Sequence, residues 1–189
     1  MSDRRDKREA ILAAALELFA ERGFHGTAVP LVAEKAQVGA GTIYRYFPSK
    51  ETLVTELYMK WKGEIGRIML VDFPFEAPAR EQFRHFWQSC AQFAQQHPLA
   101  FKFLELHHHA PYLDRECRRL ENEVLEPAFQ FFSQTQSRKI TKPLPSELLG
   151  AIVWGAFVGM IKAAWEDRLE LTQEAVDAAE QCCWEAIRA

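Results

Sequence analysis

Residues 27–50, TAVPLVAEKAQVGAGTIYRYFPSK, constrain this chain more than any other stretch. Val29, Val32, Ala33 and Ala36 recur at helical spacing and give one apolar face over about two turns. Thr27 suits an N-cap. Pro30 is tolerated because N–H groups in the first turn of a helix have no intrahelical partner. Residues 37–41 carry Gly39 and Gly41, which take backbone conformations that other residues resist, and so mark a turn. A second helix over 40–47 buries Ile43 and Phe47 and turns Thr42, Tyr44, Arg45 and Tyr46 outward. Pro48 ends it, and Ser49 offers the next cap. Two short helices around a glycine-bearing turn predict a helix-turn-helix.

The flanking sequence supports that unit. A charged leader holding Arg4, Arg5, Lys7 and Arg8 is either a solvated helix start or an arm that meets phosphates. Ile11, Ala15, Leu18 and Phe19 then mark an amphipathic helix over 7–22, closed by Gly23 as a left-handed C-cap. From Ser49 a long helix runs to about residue 70, with Leu53, Leu57, Trp61 and Ile65 on one side and Glu51 at its positive end. Five further helices are expected over 79–96, 98–108, 112–134, 146–168 and 172–188. Pro127 falls inside the third of these and should kink it. The polar stretch 137–145, with two prolines, reads as the mobile loop of the body. No alternating strand pattern is seen, so the fold class is all-α, divided at 1–48 and 49–189.

Composition excludes several alternatives. The chain has 189 residues, 48% hydrophobic and 26% charged, with a net charge of −3, as an ordinary soluble protein would. Its charge is uneven. Residues 1–62 carry ten Lys/Arg against eight Asp/Glu, and the rest carries thirteen against eighteen. A slightly basic head on an acidic body suits a local contact with nucleic acid. Cys90, Cys117, Cys182 and Cys183 form no CxxC pair and read as reduced, small apolar residues of a cytoplasmic protein. The most apolar run, 148–161, is broken by glycines and too short for the ~18 residues of a membrane span, so it reads as a buried helix.

Adjacent His107, His108 and His109 do not make a metal site, because successive helical positions point about 100° apart. No nucleophile with its base, no phosphate loop and no HExxH motif is visible. Catalysis, metal and cofactor are therefore not expected, although one of the histidines can donate a hydrogen bond to a ligand. Aromatic residues, among them Phe86, Phe93, Phe103, Phe129, Trp154 and Phe157, populate the body. Each alone fits a core. Together they suit an apolar pocket between helices. Gly150, Ala151, Gly155, Ala156, Gly159 and Ala163 make a stripe of small residues, and Ala175, Val176, Ala179, Cys182, Cys183 and Ile187 make a second apolar stripe. Close packing within the chain and pairing with a second copy both fit these stripes. The second is favoured because one short recognition helix reads too few base pairs to select a genomic site.

The landmarks Gly23-Phe24, Thr27, Ala33, Val38, Gly41-Thr42-Ile43-Tyr44, Tyr46-Phe47 and Ser49-Lys50-Glu51 resemble the DNA-binding segment of the TetR family of bacterial transcriptional regulators. The likeness covers about residues 7–60. It departs at Ala28 and Pro30, where many members carry a polar or basic residue, and at Gly39-Ala40, which offer little side chain to bases. The resemblance implies that Thr42 and the backbone of Gly39, Ala40 and Gly41 lie nearest the base edges of double-stranded operator DNA. It implies Tyr44 and Tyr46 on phosphates or sugars, Arg45 on base or backbone, and Lys50 on a phosphate. Thr27 would offer a hydroxyl and backbone N–H groups to another. It further implies a homodimer through the helices near 146–168 and 172–188. A small apolar or aromatic ligand, held near Phe86, Phe93, Phe103, His107, Phe129, Trp154 and Phe157, would release a repressor from a palindromic site. An activator, or a chromosome-organising factor without an inducer, is the alternative that the sequence leaves open.

Overall fold

Apolar periodicity is realised as nine helices among residues 2–106 and 114–189, which the computed structural model describes. They are α1 (Ser2–Gly26), α2 (Val29–Lys35), α3 (Ala40–Tyr46), α4 (Lys50–Leu70), α5 (Ala79–Gln96), α6 (Pro98–Leu106), α7 (Arg115–Ser137), α8 (Ser146–Trp165) and α9 (Gln173–Ile187). The all-α expectation holds. Gly23 sits inside α1 with φ 69° and ψ 179°, a left-handed φ that glycine takes without steric cost. The bend it makes lets Phe24 fold back onto Phe19, ring centroids 6.2 Å apart.

Two compact units divide the chain, Met1–Glu64 with His97–Glu121 and Ile65–Gln96 with Asn122–Ala189. In the first, α1 packs on α2 and α6, and α2 packs on α3. Ile11, Ala15, Phe19, Leu53, Leu57, Phe101 and Phe103 are buried there. Tyr58 is buried as well and donates its hydroxyl to Glu121 at 3.2 Å. Asp114 starts α7 by accepting the Cys117 N–H at 2.9 Å, the main reason its carboxyl is held below the usual range. Residues 107–113, with His107, His108, His109, Pro111 and Tyr112, lie outside the described residues.

In the second unit α9 packs on α5 and α8. One face of α5 carries Phe83 onto Trp184 (5.4 Å) and Trp87 onto Phe157 (5.1 Å), and the Trp87 indole donates to the Val176 carbonyl at 3.1 Å. Glu180 is fully buried on α9. A buried carboxylate is strongly unfavourable unless paired, and Arg80 pairs it through both guanidinium nitrogens, Nη2 to Oε2 at 2.6 Å, while lying over the Trp184 ring. Pro127 is contained within α7.

Two expectations are corrected. Residues 137–145 are pinned, not mobile: Thr141 bridges Arg188, the Lys142 N–H donates to the Ile187 carbonyl at 2.8 Å, and the Ala189 N–H donates to the Ile140 carbonyl at 3.0 Å. The Thr135 and Thr141 hydroxyls meet at 2.9 Å beneath them. Sequence periodicity cannot register such a long-range backbone pairing. Nor is the apolar run 148–161 a wholly buried helix. Among the described helices, α8 is long and apolar enough to cross a membrane by length and composition. Leu149, Val153, Phe157, Met160 and Ile161 bury one face, whereas Leu148 (45%) and Ile152 (42%) are exposed beside exposed Ala151, Gly155, Ala156 and Gly159.

Candidate nucleic-acid interface

The reading head is built from the inside out. Ile43 and Phe47, both essentially buried, root α3 in the first unit. Their burial leaves Gly39, Ala40, Gly41, Tyr44 and Arg45 exposed and Thr42 and Tyr46 half-buried. A seven-residue helix has too little propensity of its own to persist in water, so these anchors hold it. Gly39 is its N-cap in an extended conformation, and the Thr42 N–H closes the first turn on the Gly39 carbonyl at 2.8 Å. Tyr44 is 52% exposed, and the Arg45 guanidinium lies 5.7 Å from the centre of the Tyr46 ring.

Thr27 departs from its expected role. It is fully buried, and its hydroxyl donates inward, 2.9 Å from the Gly23 carbonyl and 3.1 Å from that of Leu18. The N-cap of α2 is Ala28, without a side-chain hydrogen bond. The bend at Gly23 explains the difference: it leaves carbonyls that need donors, and the Thr27 hydroxyl supplies one. Thr27 therefore staples the α1 corner, its hydroxyl committed to carbonyls of α1.

Lys50 has a geometry that spacing gave no sign of. Its ammonium donates to the carbonyls of Phe24 (2.7 Å) and Thr27 (2.9 Å) and sits 4.0 Å from the centre of the Phe24 ring. An ammonium carries three donors, so one N–H remains beyond these two carbonyls. Ser49 caps α4 as expected, its hydroxyl accepting the Thr52 N–H at 3.1 Å. Glu51 follows, held below the usual carboxylate range by its own backbone N–H and then by Ser49. In the leader, Arg8 is committed to Glu56 and to the Phe47 ring at 5.3 Å, and Arg5 is exposed. Lys35 pairs with Glu17 at 2.6 Å.

The aromatic residues expected to line a pocket are divided between the two units. Phe103 belongs to the first unit, buried against Phe19 at 6.3 Å. Phe86, Phe93, Phe129, Trp154 and Phe157 belong to the second. There Phe93 and Phe157 are buried, Phe86, Phe129 and Trp154 are half-buried, and Trp154 stacks on Phe157 at 5.5 Å. His107 lies outside the described residues. Among the described residues no group of His, Cys, Asp and Glu is placed to hold a metal ion.

A short helix rooted by Ile43 and Phe47, presenting glycines, a tyrosine and an arginine outward in an all-helical chain, defines a helix-turn-helix transcriptional regulator. The sequence profile of bacterial regulatory proteins of the tetR family matches residues 11–57, and that of the tetracyclin repressor-like C-terminal domain matches residues 62–189. The chain belongs to the TetR family. It is similar to an HTH-type transcriptional regulator of Haemophilus influenzae, 24% identical over 183 residues that cover 97% of this chain and 96% of that one. It shares its fold with a TetR family transcription regulator from Marinobacter aquaeolei, at TM-score 0.87 and 23% identity, over 100% of this chain and 99% of that one. The transcriptional regulator FadR of Bacillus subtilis, solved in complex with stearoyl-CoA, matches at TM-score 0.67 and 26% identity over 94% and 96%.

Proposed function

We propose that this regulator acts in the cytoplasm as a homodimeric repressor, with residues 1–48 reading a palindromic operator and residues 49–189 binding a ligand and the second copy. The observation that carries this reading is the outward face of α3. In the major groove the backbone of Gly39, Ala40 and Gly41 approaches base edges closely, and Thr42 takes a hydrogen-bonding edge or a thymine methyl. Tyr44 and Tyr46 bind phosphate or sugar, Arg45 reaches base or backbone, and the remaining donor of Lys50 takes a phosphate oxygen.

The exposed stripes of α8 and α9 support the dimer. Among the described residues, nothing lies within 4 Å of where a Cβ on Gly155 or Gly159 would stand, so no contact there calls for glycine. Glycine inside a helix costs about 1 kcal/mol relative to alanine. Close approach of a second copy supplies the reason, with exposed Ala178, Cys182 and Ala186 continuing the small-residue face on α9. Half-buried Phe86, Phe129 and Trp154 support a small apolar or aromatic effector that releases the DNA, in keeping with the acyl thioester bound by the Bacillus subtilis relative.

The test is to incubate the purified chain with sheared DNA from its own source and sequence what it retains at moderate salt. Recovery of a few fragments sharing a palindrome is the expected result. Retention without a shared sequence would replace the repressor with a chromosome-organising protein.

A further inference from the structure

His85 carries a polar atom that the rest of the second unit leaves unanswered. Among the described residues its Nε2 is buried without a hydrogen-bond partner. Unpaired buried polar atoms are few in native proteins, and those that persist call for a specific reason. On α5, Phe83 and Trp87 face α9, and His85 is about 200° round the helix from each of them, on the opposite side. Ser89, one turn along the His85 face, is also buried. The segment after α4 covers the imidazole: the Phe73 ring meets it edge to face at 5.3 Å, and Phe75 packs on Phe73 at 4.8 Å.

That cover is a built structure. Asp72 turns the chain with φ 52°, and the Phe75 N–H closes on the Phe73 carbonyl at 2.9 Å. From α5, the Gln82 amide donates to the carbonyls of Phe75 (2.9 Å) and Ala77 (2.8 Å). Phe75 is nonetheless 66% exposed, so a large apolar ring is held at the surface beside a buried polar atom that lacks a partner. This pairing fits an amphiphile whose ring or chain lies on Phe75 and Phe73 and whose single polar end reaches inward.

We infer that His85 is the polar anchor of an effector site under the Phe73–Phe75 cover, taking an apolar, preferably aromatic, molecule that bears one hydrogen-bonding oxygen. The inference rests on the ligand-responsive reading above and adds to it the anchoring residue and the class of ligand. His85 supplies the hydrogen bond, the phenylalanine rings supply apolar contact, and the partnerless nitrogen is a stability cost accepted for binding.

The test compares 1-naphthol with naphthalene, which differ by one hydroxyl, by calorimetry on the full chain. Wild type should bind 1-naphthol about 5- to 10-fold tighter, the worth of one buried hydrogen bond. His85→Leu should bind the two alike while melting about 2–4 °C higher, because an unpaired polar atom has been removed. His85→Gln, which keeps a donor and an acceptor, should retain most of the preference. An undiminished preference in His85→Leu would overturn the assignment, and so would failure of wild type to bind 1-naphthol. A lower melting temperature with both affinities lost would make His85 a packing residue and overturn it too. Release of the retained DNA by a small-molecule extract of the source cells, in wild type and His85→Leu alike, would leave the ligand-responsive reading standing without this anchor. Failure of that extract to release DNA from wild type would remove the reading itself.

Discussion

At the scale of single residues, Lys50 has a structural contact beside its proposed role on a phosphate. Its ammonium satisfies two carbonyls at the corner that the Gly23 bend creates and rests on the Phe24 ring. Lys50→Ala should therefore weaken binding to every DNA sequence alike and flatten the salt dependence by about one phosphate contact. It should also cost about 1 kcal/mol of stability, discounted for partial exposure. Affinity titrations at several salt concentrations, paired with thermal melts, check both. An effect confined to one sequence would contradict the phosphate role, and an unchanged melt would contradict the staple. Titration of buried thiols gives a second prediction. Burial pushes Cys117 and Cys183 up to about 11, from an ordinary 9.0. A thiol raised in the folded state contributes stability that is complete below the unfolded value and is lost as pH rises through the folded one. Melting temperature should therefore fall between about pH 9 and pH 11, by less in Cys117→Ala/Cys183→Ala than in wild type.

At the scale of elements, close approach of α4 to α7 depends on one missing side chain. A Cβ on Gly66 would stand 2.8 Å from Cγ2 of Val124, both in the second unit. Gly66→Ala should destabilise by about 1–3 kcal/mol through overpacking, despite the better helix propensity of alanine. Val124→Ala in the same chain should recover part of that loss, and a denaturant melt of the double mutant reads the coupling. The helices themselves were legible because their signals are local. The expected 79–96 is α5 as found, Ser49 and Thr172 mark the boundaries that their chemistry announces, and Gly23, expected to end the first helix, bends it instead. What stayed hidden depends on contacts distant in sequence. No period in the chain reveals that Ile140 and Lys142 pair with the last residues, that Thr27 turns inward to Gly23, or that Phe103 belongs with Phe19. The unpaired nitrogen of His85 was equally invisible, because a lone histidine on an amphipathic helix carries no signal in its spacing.

At the scale of the whole molecule, the proposed reading of a palindrome requires two copies acting together. The small residues of α8 were visible in the sequence, but only the structure separates the buried row through Leu149, Val153 and Phe157 from the exposed row through Ile152, Gly155 and Gly159. Gly159→Leu should leave the single chain folded and break the pairing, seen as a halved mass in sedimentation. Cys182, exposed on α9, should react with a maleimide in dilute protein and become protected as concentration rises through the dimerisation range. The most direct test of the central claim is a hydroxyl-radical footprint on a recovered operator fragment. Two dyad-related protected half-sites, centred about 34–36 Å or a multiple of that apart, are predicted, and both should disappear in Tyr44→Ala/Arg45→Ala. A single protected segment without a dyad, or a footprint indifferent to that double substitution, would contradict reading by paired α3 helices.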